Sequence, residues 1–530
     1  MIPITVEQLC EATDGQLNLD SLNLNSINVD NQKLDNLTLA QINSVVINNV
    51  STDTRTISEN DLFIALKGPT FDAHNMLQSA LDKGAAVLLV EKSWVEKNRG
   101  EKNSVKNSCG ENNNFTFADD CIVVMVADTR IALGLLGRYI KQQIKGIKCA
   151  AITGSNGKTT CKELLSAILS AHNGNSDKVL ATAGNFNNDI GLPLTLLRLQ
   201  AQHQFAVLEL GANHIGEIAY TSALVEPDVA LVNNVMPAHL EGFGSLQGVA
   251  TAKAEIWSSL NKSGIAVVNL DADFAADFVR NLTNQEQRFI TFSAELKSTD
   301  RAKSIAEPDL FASDITHNQL GQASFTLNLA NTLINNLNCL PKIRIQLNLP
   351  GLHNVSNALA ASTMAIALGC TLQDIKQGLE TVQQVAGRVN CSVVSDRLTV
   401  IDDTYNANSA SVKAGIDLLT QYDAQQVLVC GDMGELGEFA EQEHKSIGEY
   451  AQQQGIQQLF TVGNLSQLAT HAYNAAAKKT VAEHFSDKQQ LKQAISAYLS
   501  DKESKIVMLI KGSRSAKMEE IVAFIKQTTA

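Results

Sequence analysis

Residues 152–160 read ITGSNGKTT, a composition suited to cradling phosphate. Gly154 and Gly157 permit a tight loop whose backbone N–H groups face an anion, and Lys158 adds a point charge. Thr159 supplies a hydroxyl of the kind that holds magnesium beside a nucleoside triphosphate. A strict Walker pattern places glycine six residues before the lysine, where this chain has Ile152, so the loop is the shorter G-x-x-G-K-T form. A GKT string is common by chance. Here an apolar strand pattern precedes it and a helical pattern follows, which favours ATP binding.

Several further stretches carry groups that could do chemistry. Glu209 closes the buried run FAVLE, and a carboxylate so placed either pairs locally or binds a cation. His239, in NNVMPAHLEGFGS, follows another such run, and Lys253 lies on the helical pattern ATAKAEI. Taken alone, that histidine would more often be a satisfied structural residue than a ligand. GNFNNDIGLP (184–193) packs Asn185, Asn187 and Asn188 into one loop, which suits gripping peptide carbonyls and also ordinary turn formation. His353 and Asn354 open a helix in PGLHNVSNALAA, while Arg388, IDDTYNAN (401–408), GDMGELG (431–437) and KGSRSAKME (511–519) lie near strand ends of a last region.

The elements that must position these groups alternate between strand and helix. IKCAAITG, FAVLELGA, VALVNNV and GIAVVNLD read as strands and KTTCKELLSAILSA as a helix; LTVIDD, QQVLVCGD, QLFTVG and KIVMLIKGS repeat the style after Gly387. Such alternation implies an α/β fold with parallel, doubly wound sheets and ligands at the carboxyl ends of strands. Upstream, TVEQLCEAT reads as a helix, DLFIAL, AAVLLVE and CIVVMVAD as strands, and TRIALGLLGRYIKQQI as an amphipathic helix leading out of a first domain. A five-residue step through LNLDS, LNLNS, INVDN and LTLAQ makes a repeat-like insertion at 16–50, and an Asn- and Lys-rich run makes a polar loop at 96–117. At roughly 150 residues per domain, 530 residues predict three domains, placed at 1–127, 128–386 and 387–530.

A net charge of -13 argues against broad binding to nucleic acid or anionic lipid and leaves small molecules as the expected partners. The start lacks a basic and then apolar leader, and no apolar run of 18 residues occurs, so a cytoplasmic protein without membrane insertion is expected. Nine scattered cysteines with no CxxC pair read as reduced thiols.

Taken together and in this order, GNFNNDIGLP, ELGANHIGEI, HLEGFGSLQGVATAKAEI, DDTYNAN, GDMGELG and KGSRSAKME resemble the Mur ligases of bacterial cell-wall synthesis. The resemblance runs from STDTR (51–55) to the C-terminus and leaves out mainly the repeat, the polar loop and a patch near 296–320. It implies three domains: one gripping the UDP end of the substrate, a central P-loop doubly wound domain that binds ATP, and a C-terminal Rossmann-like domain. It also implies a monomeric ligase that uses ATP and magnesium to join D-alanyl-D-alanine to UDP-N-acetylmuramoyl-tripeptide through an acyl phosphate. By the same resemblance Lys158 and Arg388 face the γ-phosphate, Thr159 and Glu209 bind a first magnesium, His239 binds a second, and Lys253 is carbamylated into an oxygen ligand. Gly154, Ser155, Asn156, Gly157 and Thr160 complete the ATP loop, and His353, Asn354, Asp403, Tyr405 and Asn408 match positions holding adenine, ribose and phosphates. Asp53, Thr54 and Arg55 match a uridine-nucleotide loop, and Asn185, Asn187 and Asn188 a loop cradling the sugar-peptide. Leu352 stands where the family's G-R-H-N has arginine, so that side chain's contact is absent. Folylpolyglutamate synthase shares the short loop, and a nucleotide-gated binding protein is the alternative from another class. NFNNDIG and DDTYNAN favour the muramyl ligases over the first, and a switch does not need the second cation site formed by His239 and Lys253.

Overall fold

The computed structural model describes residues 1–18, 40–98, 105–106, 112–113, 121–237, 240–294, 307–318, 320–337, 340–384, 386–477 and 481–529. Most of the five-residue repeat and of the polar loop lies outside them. The described chain divides into two compact units, one formed by Met1–Ile147, Thr182–Ala206 and Ala223–Val225, the other by Lys148–Ala181, Val207–Ser222 and Glu226–Ala530.

In the first unit TVEQLCEAT does form a helix, Val6–Thr13. It starts there because the Thr5 hydroxyl accepts the Gln8 N–H while the Gln8 side chain accepts the Thr5 N–H, a reciprocal capping box. The predicted apolar runs become strands Asp61–Ile64, Ala85–Glu91 and Ile122–Val126, which pair in parallel within a five-stranded sheet. Phe63, Leu88, Val90 and Val123 fill one face of it. Helix Thr129–Gln142 begins at Asp128, whose carboxylate accepts the Arg130 and Ile131 N–H groups. Gly137 on this helix lets Pro193 approach so closely that a Cβ would lie 3.1 Å from the proline Cα. That contact explains why Thr182–Ala206, which lies between stretches of the second unit in sequence, packs with the N-terminal residues.

The second unit holds two sheets. The larger has the order Val179–Ala181, Phe205–Glu209, Lys148–Thr153, Val229–Val232, Ile265–Asn269, Phe289–Ser293, Leu310–His317, Gln322–Leu329, Lys342–Pro350. Strands from Lys148–Thr153 through Leu310–His317 pair in parallel, and the last two add an antiparallel meander. Thr153 and Val232 are register partners, so the loops that follow both strands emerge side by side.

The smaller sheet has the order Asn390–Ser395, Leu398–Asp403, Ile506–Lys511, Gln425–Gly431, Gln458–Val462, Glu483–Phe485, parallel except at its first edge. Period-two alternation divides its side chains between two cores. Val507 and Leu509 join Leu428, Cys430, Val412, Ile416, Ile447 and Tyr473 on one face. Met508 and Ile510 join Val427, Val429, Leu491, Ile495 and Ile521 on the other. Helices thus cover both faces, as doubly wound sheets require. The seven cysteines described are all free thiols.

Helices Ala440–Gln453 and Gln467–Ala477 cross at Gly448, where an added Cβ would meet the Ala469 carbonyl oxygen at 1.9 Å. Gly448→Ala is therefore expected to cost about 1–3 kcal/mol through overpacking, read as a lower thermal midpoint of the full chain. An unchanged midpoint would contradict this packing.

Candidate active site

The phosphate-type loop connects the strand Lys148–Thr153 to the helix Lys158–Asn173. Gly157 takes the N-cap position at φ +78°, a left-handed conformation, and no side chain caps the helix. The first-turn N–H groups therefore face outward at the positive end of the helix dipole, an arrangement that attracts anions. A Cβ at Gly157 would lie 2.5 Å from Asn357 Oδ1 and 2.6 Å from Asn233 Nδ2, so glycine is required by space as well as by φ.

Those two asparagines belong to a buried amide relay beneath the loop. Asn233 donates to Asn357 Oδ1 at 3.0 Å and to the Asn156 carbonyl at 3.1 Å, and Asn357 donates to Asn354 Oδ1 at 3.0 Å. Asn354 in turn donates to the Pro350 carbonyl. The Ser155 N–H goes to the Asn234 carbonyl and the Asn156 N–H to Asn234 Oδ1, so these two donors brace the loop and leave anion binding to the helix end. Ser155 Oγ donates to the Met236 carbonyl, which pins the loop to the segment before His239. His239 itself lies outside the described residues.

Charged groups gather at the helix start. Lys158 Nζ donates to the Gly154 carbonyl at 2.6 Å, curling over the loop. Burial pushes its pKa below the usual lysine value, the Glu209 carboxylate opposes this, and the Arg388 guanidinium adds to it. Thr159 Oγ1 lies 3.2 Å from Glu209 Oε2, and Lys162 Nζ lies 3.9 Å from Glu209 Oε1. Glu209 is thus both locally paired and placed with Thr159 as a pair of hard oxygen donors, the chemistry a magnesium ion takes. Thr160 sits beside them in the first helical turn. Lys253, near the end of helix Leu246–Ala254, is 3% exposed. Burial, then the Lys158 charge, holds its amine well below the ordinary lysine pKa.

The smaller sheet contributes the opposite wall. Arg388 stacks its guanidinium 4.1 Å from the Tyr405 ring centroid. Asn408 caps helix Ser409–Leu419 and exchanges amide hydrogen bonds with Asn156, at 2.7 Å from Asn408 Nδ2 and 3.2 Å from Asn156 Nδ2. Asp403 pairs with the buried Lys511. His353 opens helix His353–Leu368 with its pKa lowered by burial, while the Asp403 carboxylate opposes that shift. Leu352, at the cap before it, is 43% exposed.

The remaining sites belong to the first unit. Arg55 clamps the exposed Asp53 carboxylate through Nε and Nη2, and this hydrogen bonding holds the Asp53 pKa at about 2. Lys83 donates to the Thr54 carbonyl. In the asparagine-rich loop the Asn187 N–H bonds the Asn185 carbonyl and Asn188 Oδ1 accepts the Gly191 N–H, while Asp189 pairs with Arg130. Asn233, Asn234, Asn357, Lys162 and Lys511 are site-shaping residues that lie within stretches quoted from the sequence but were given no role of their own there. For Lys511 a signal existed, because a lysine ending the buried run IVMLIK needs a charged partner.

Known proteins resemble the chain along most of its length. Family models match in the order Mur ligase family, catalytic domain (46–138), Mur ligase middle domain (152–365) and Mur ligase, glutamate ligase domain (387–514). The UDP-N-acetylmuramoyl-tripeptide–D-alanyl-D-alanine ligase of Haemophilus influenzae is 39% identical over 482 residues, covering 90% of this chain and 93% of that protein. A crystal structure of MurF from Acinetobacter baumannii shares a TM-score of 0.80 at 33% identity over 99% of both chains. At 23% identity the MurF ligase from Thermotoga maritima, solved in complex with ADP, shares the fold with a TM-score of 0.72 over 91% of this chain and 97% of that one. Two parallel sheets with an open phosphate loop in one of them, matched throughout in this way, define an ATP-dependent peptide ligase. More particularly, the chain belongs to the Mur ligase family.

Gly157→Ala is expected to weaken ATP binding by at least about tenfold, measured by titration calorimetry, with circular dichroism unchanged, because the added methyl displaces the amide relay and the helix end together. Unaltered affinity would show that nucleotide does not use this loop.

Proposed function

We propose that this ligase joins D-alanyl-D-alanine to UDP-N-acetylmuramoyl-tripeptide in cytoplasmic peptidoglycan precursor synthesis, acting as a monomer of three domains at 1–127, 128–386 and 387–530. The observation that carries the chemistry is the gathering of Lys158 and the Thr159–Glu209 oxygen pair at one uncapped helix end, with the buried Lys253 close enough for the Lys158 charge to lower its pKa. The substrates follow from the relatives, whose named reaction is this one.

A carboxylate is a poor electrophile whose charge repels both ATP and an incoming amine until cations neutralise it. Lys158 and Arg388 lie where the γ-phosphate of an ATP seated on the helix end would gather charge, and the carboxylate of the tripeptide attacks that phosphorus as ADP leaves. The amine of D-Ala-D-Ala then attacks the acyl carbon, loses a proton, and phosphate departs. Magnesium, when bound, neutralises phosphate and carboxylate charge. Thr159 and Glu209 would hold one ion, since both present hard oxygens, and His239 a second. In its deprotonated form the Lys253 amine would add to the carbon of carbon dioxide and release a proton, leaving a carbamate whose oxygen could bind the ion. His353, Asn354, Asp403, Tyr405 and Asn408, with Gly154, Ser155, Asn156, Gly157 and Thr160, would seat the nucleotide. Asp53, Thr54 and Arg55 would hold the uridine end, and Asn185, Asn187 and Asn188 the sugar-peptide.

Incubating UDP-muramoyl tripeptide, ATP and D-Ala-D-Ala with the enzyme should give, by mass spectrometry, a product heavier by the dipeptide less water, with ADP and phosphate released in equal amounts. A product built instead from UDP-muramoyl dipeptide and a free third amino acid would overturn the assignment. Lys253→Ala should lower kcat at least about 100-fold, and the wild type in 13C-bicarbonate should show a carbamate carbon by NMR that the variant lacks. A fully active variant would remove Lys253 from the mechanism.

A further inference from the structure

Val389 has φ +51°, a conformation in which a β-branched side chain is strained, and it directly follows Arg388. Gly387, on the other side of the arginine, is also left-handed at φ +71°. The turn that carries Arg388 is thus wound against its own preference and must be held from outside. Two contacts hold it. The Tyr405 N–H donates to the Gly387 carbonyl at 3.0 Å, and the Val389 N–H donates to Asp403 Oδ1 at 3.3 Å. The second contact depends on how the Asp403 carboxylate is aimed. Its other oxygen meets the ammonium of Lys511, which is 2% exposed and also donates to the Asn406 carbonyl at 3.0 Å. Asp403 and Lys511 are register partners on adjacent parallel strands, so the pair is set by the sheet itself although 108 positions separate the two residues in sequence.

We propose that Lys511 is a positioning residue for ligation: by pairing with Asp403 it aims that carboxylate at the Val389 N–H and holds the strained Gly387–Val389 turn that presents Arg388 to the phosphate loop. The same turn lets the Arg388 guanidinium sit over the Tyr405 ring, a contact that helps to fix its position. With both carboxylate oxygens engaged within the protein, Asp403 serves the reaction through Arg388 more than through contact with nucleotide. The strain of a left-handed β-branched residue can be offset by a buried, charge-assisted contact of this kind. The inference rests on the proposed role of Arg388 at the γ-phosphate.

Its test is a kinetic comparison on the full-length enzyme. Lys511→Met is expected to lower kcat about 100-fold while the KM for ATP stays within about threefold, because a transition-state contact is misplaced and the nucleotide loop is not. Adding Val389→Gly to Lys511→Met should recover at least about tenfold of that loss, since glycine adopts the turn without the β-carbon penalty; a purely structural lysine would not be rescued at position 389. Should Lys511→Met fail to fold, Asp403→Asn, which keeps shape and one acceptor, is expected to lower kcat about tenfold, and adding Val389→Gly to it should recover most of that loss; no recovery overturns the clamp. A folded variant with wild-type kcat, or one whose KM for ATP rises while kcat holds, overturns the clamp. Arg388→Ala separates the two layers: if it turns over normally, the reading of Arg388 fails, whereas an inactive Arg388→Ala beside a normal Lys511→Met refutes the clamp alone.

Discussion

The structure depends on keeping one helix end open. Helix Lys158–Asn173 starts at a glycine with no side-chain cap, which leaves its dipole and first-turn N–H groups to partners from outside the chain, an anion above all. An uncapped terminus costs stability, on the order of 1 kcal/mol for a missing cap, and the surroundings make good that deficit with hydrogen bonds on the far side of the loop. Asn233 and Asn234 grip the carbonyl of Asn156, Asn234 also takes the N–H groups of Ser155 and Asn156, and Asn357 holds Asn233 from behind, which fixes the loop without covering the end of the helix.

Electrostatics around that end follow from the same choice. A site built for polyphosphate must gather positive charge, and gathered cations repel one another when no anion is present. Burial lowers the proton affinities of Lys158 and Lys253, and neighbouring cations, Arg388 for the first and Lys158 for the second, add to it. Glu209 moderates the field at Lys158 and is itself flanked by Thr159 and Lys162. Arg388 is kept apart on the Tyr405 ring, at the edge of the smaller sheet. The smaller sheet therefore supplies aimed charge, the larger sheet supplies the cradle, and the Asn156–Asn408 amide exchange joins them.

Much of this was legible in the sequence because period and glycine placement are local signals. The strand, loop and helix across 148–173 read correctly, as did all four apolar runs of the last sheet, whose alternate residues face two cores. What could not be read depends on which distant elements become neighbours. Lys511 meets Asp403 only because the last strand inserts beside Leu398–Asp403, and no local pattern announces that order. Asn233 and Asn357 looked like ordinary strand-end and helix residues until packing set both against Gly157. Thr182–Ala206 joins the first unit through Gly137 and Pro193, a close approach that sequence order conceals.

The central claim is that cations around the open helix end allow a substrate carboxylate to attack the γ-phosphate. Labelling the terminal carboxylate of the muramoyl tripeptide with 18O tests it most directly. If the carboxylate is phosphorylated, one 18O atom appears in each inorganic phosphate released during ligation with D-Ala-D-Ala. Unlabelled phosphate formed alongside dipeptide-extended product would contradict the account.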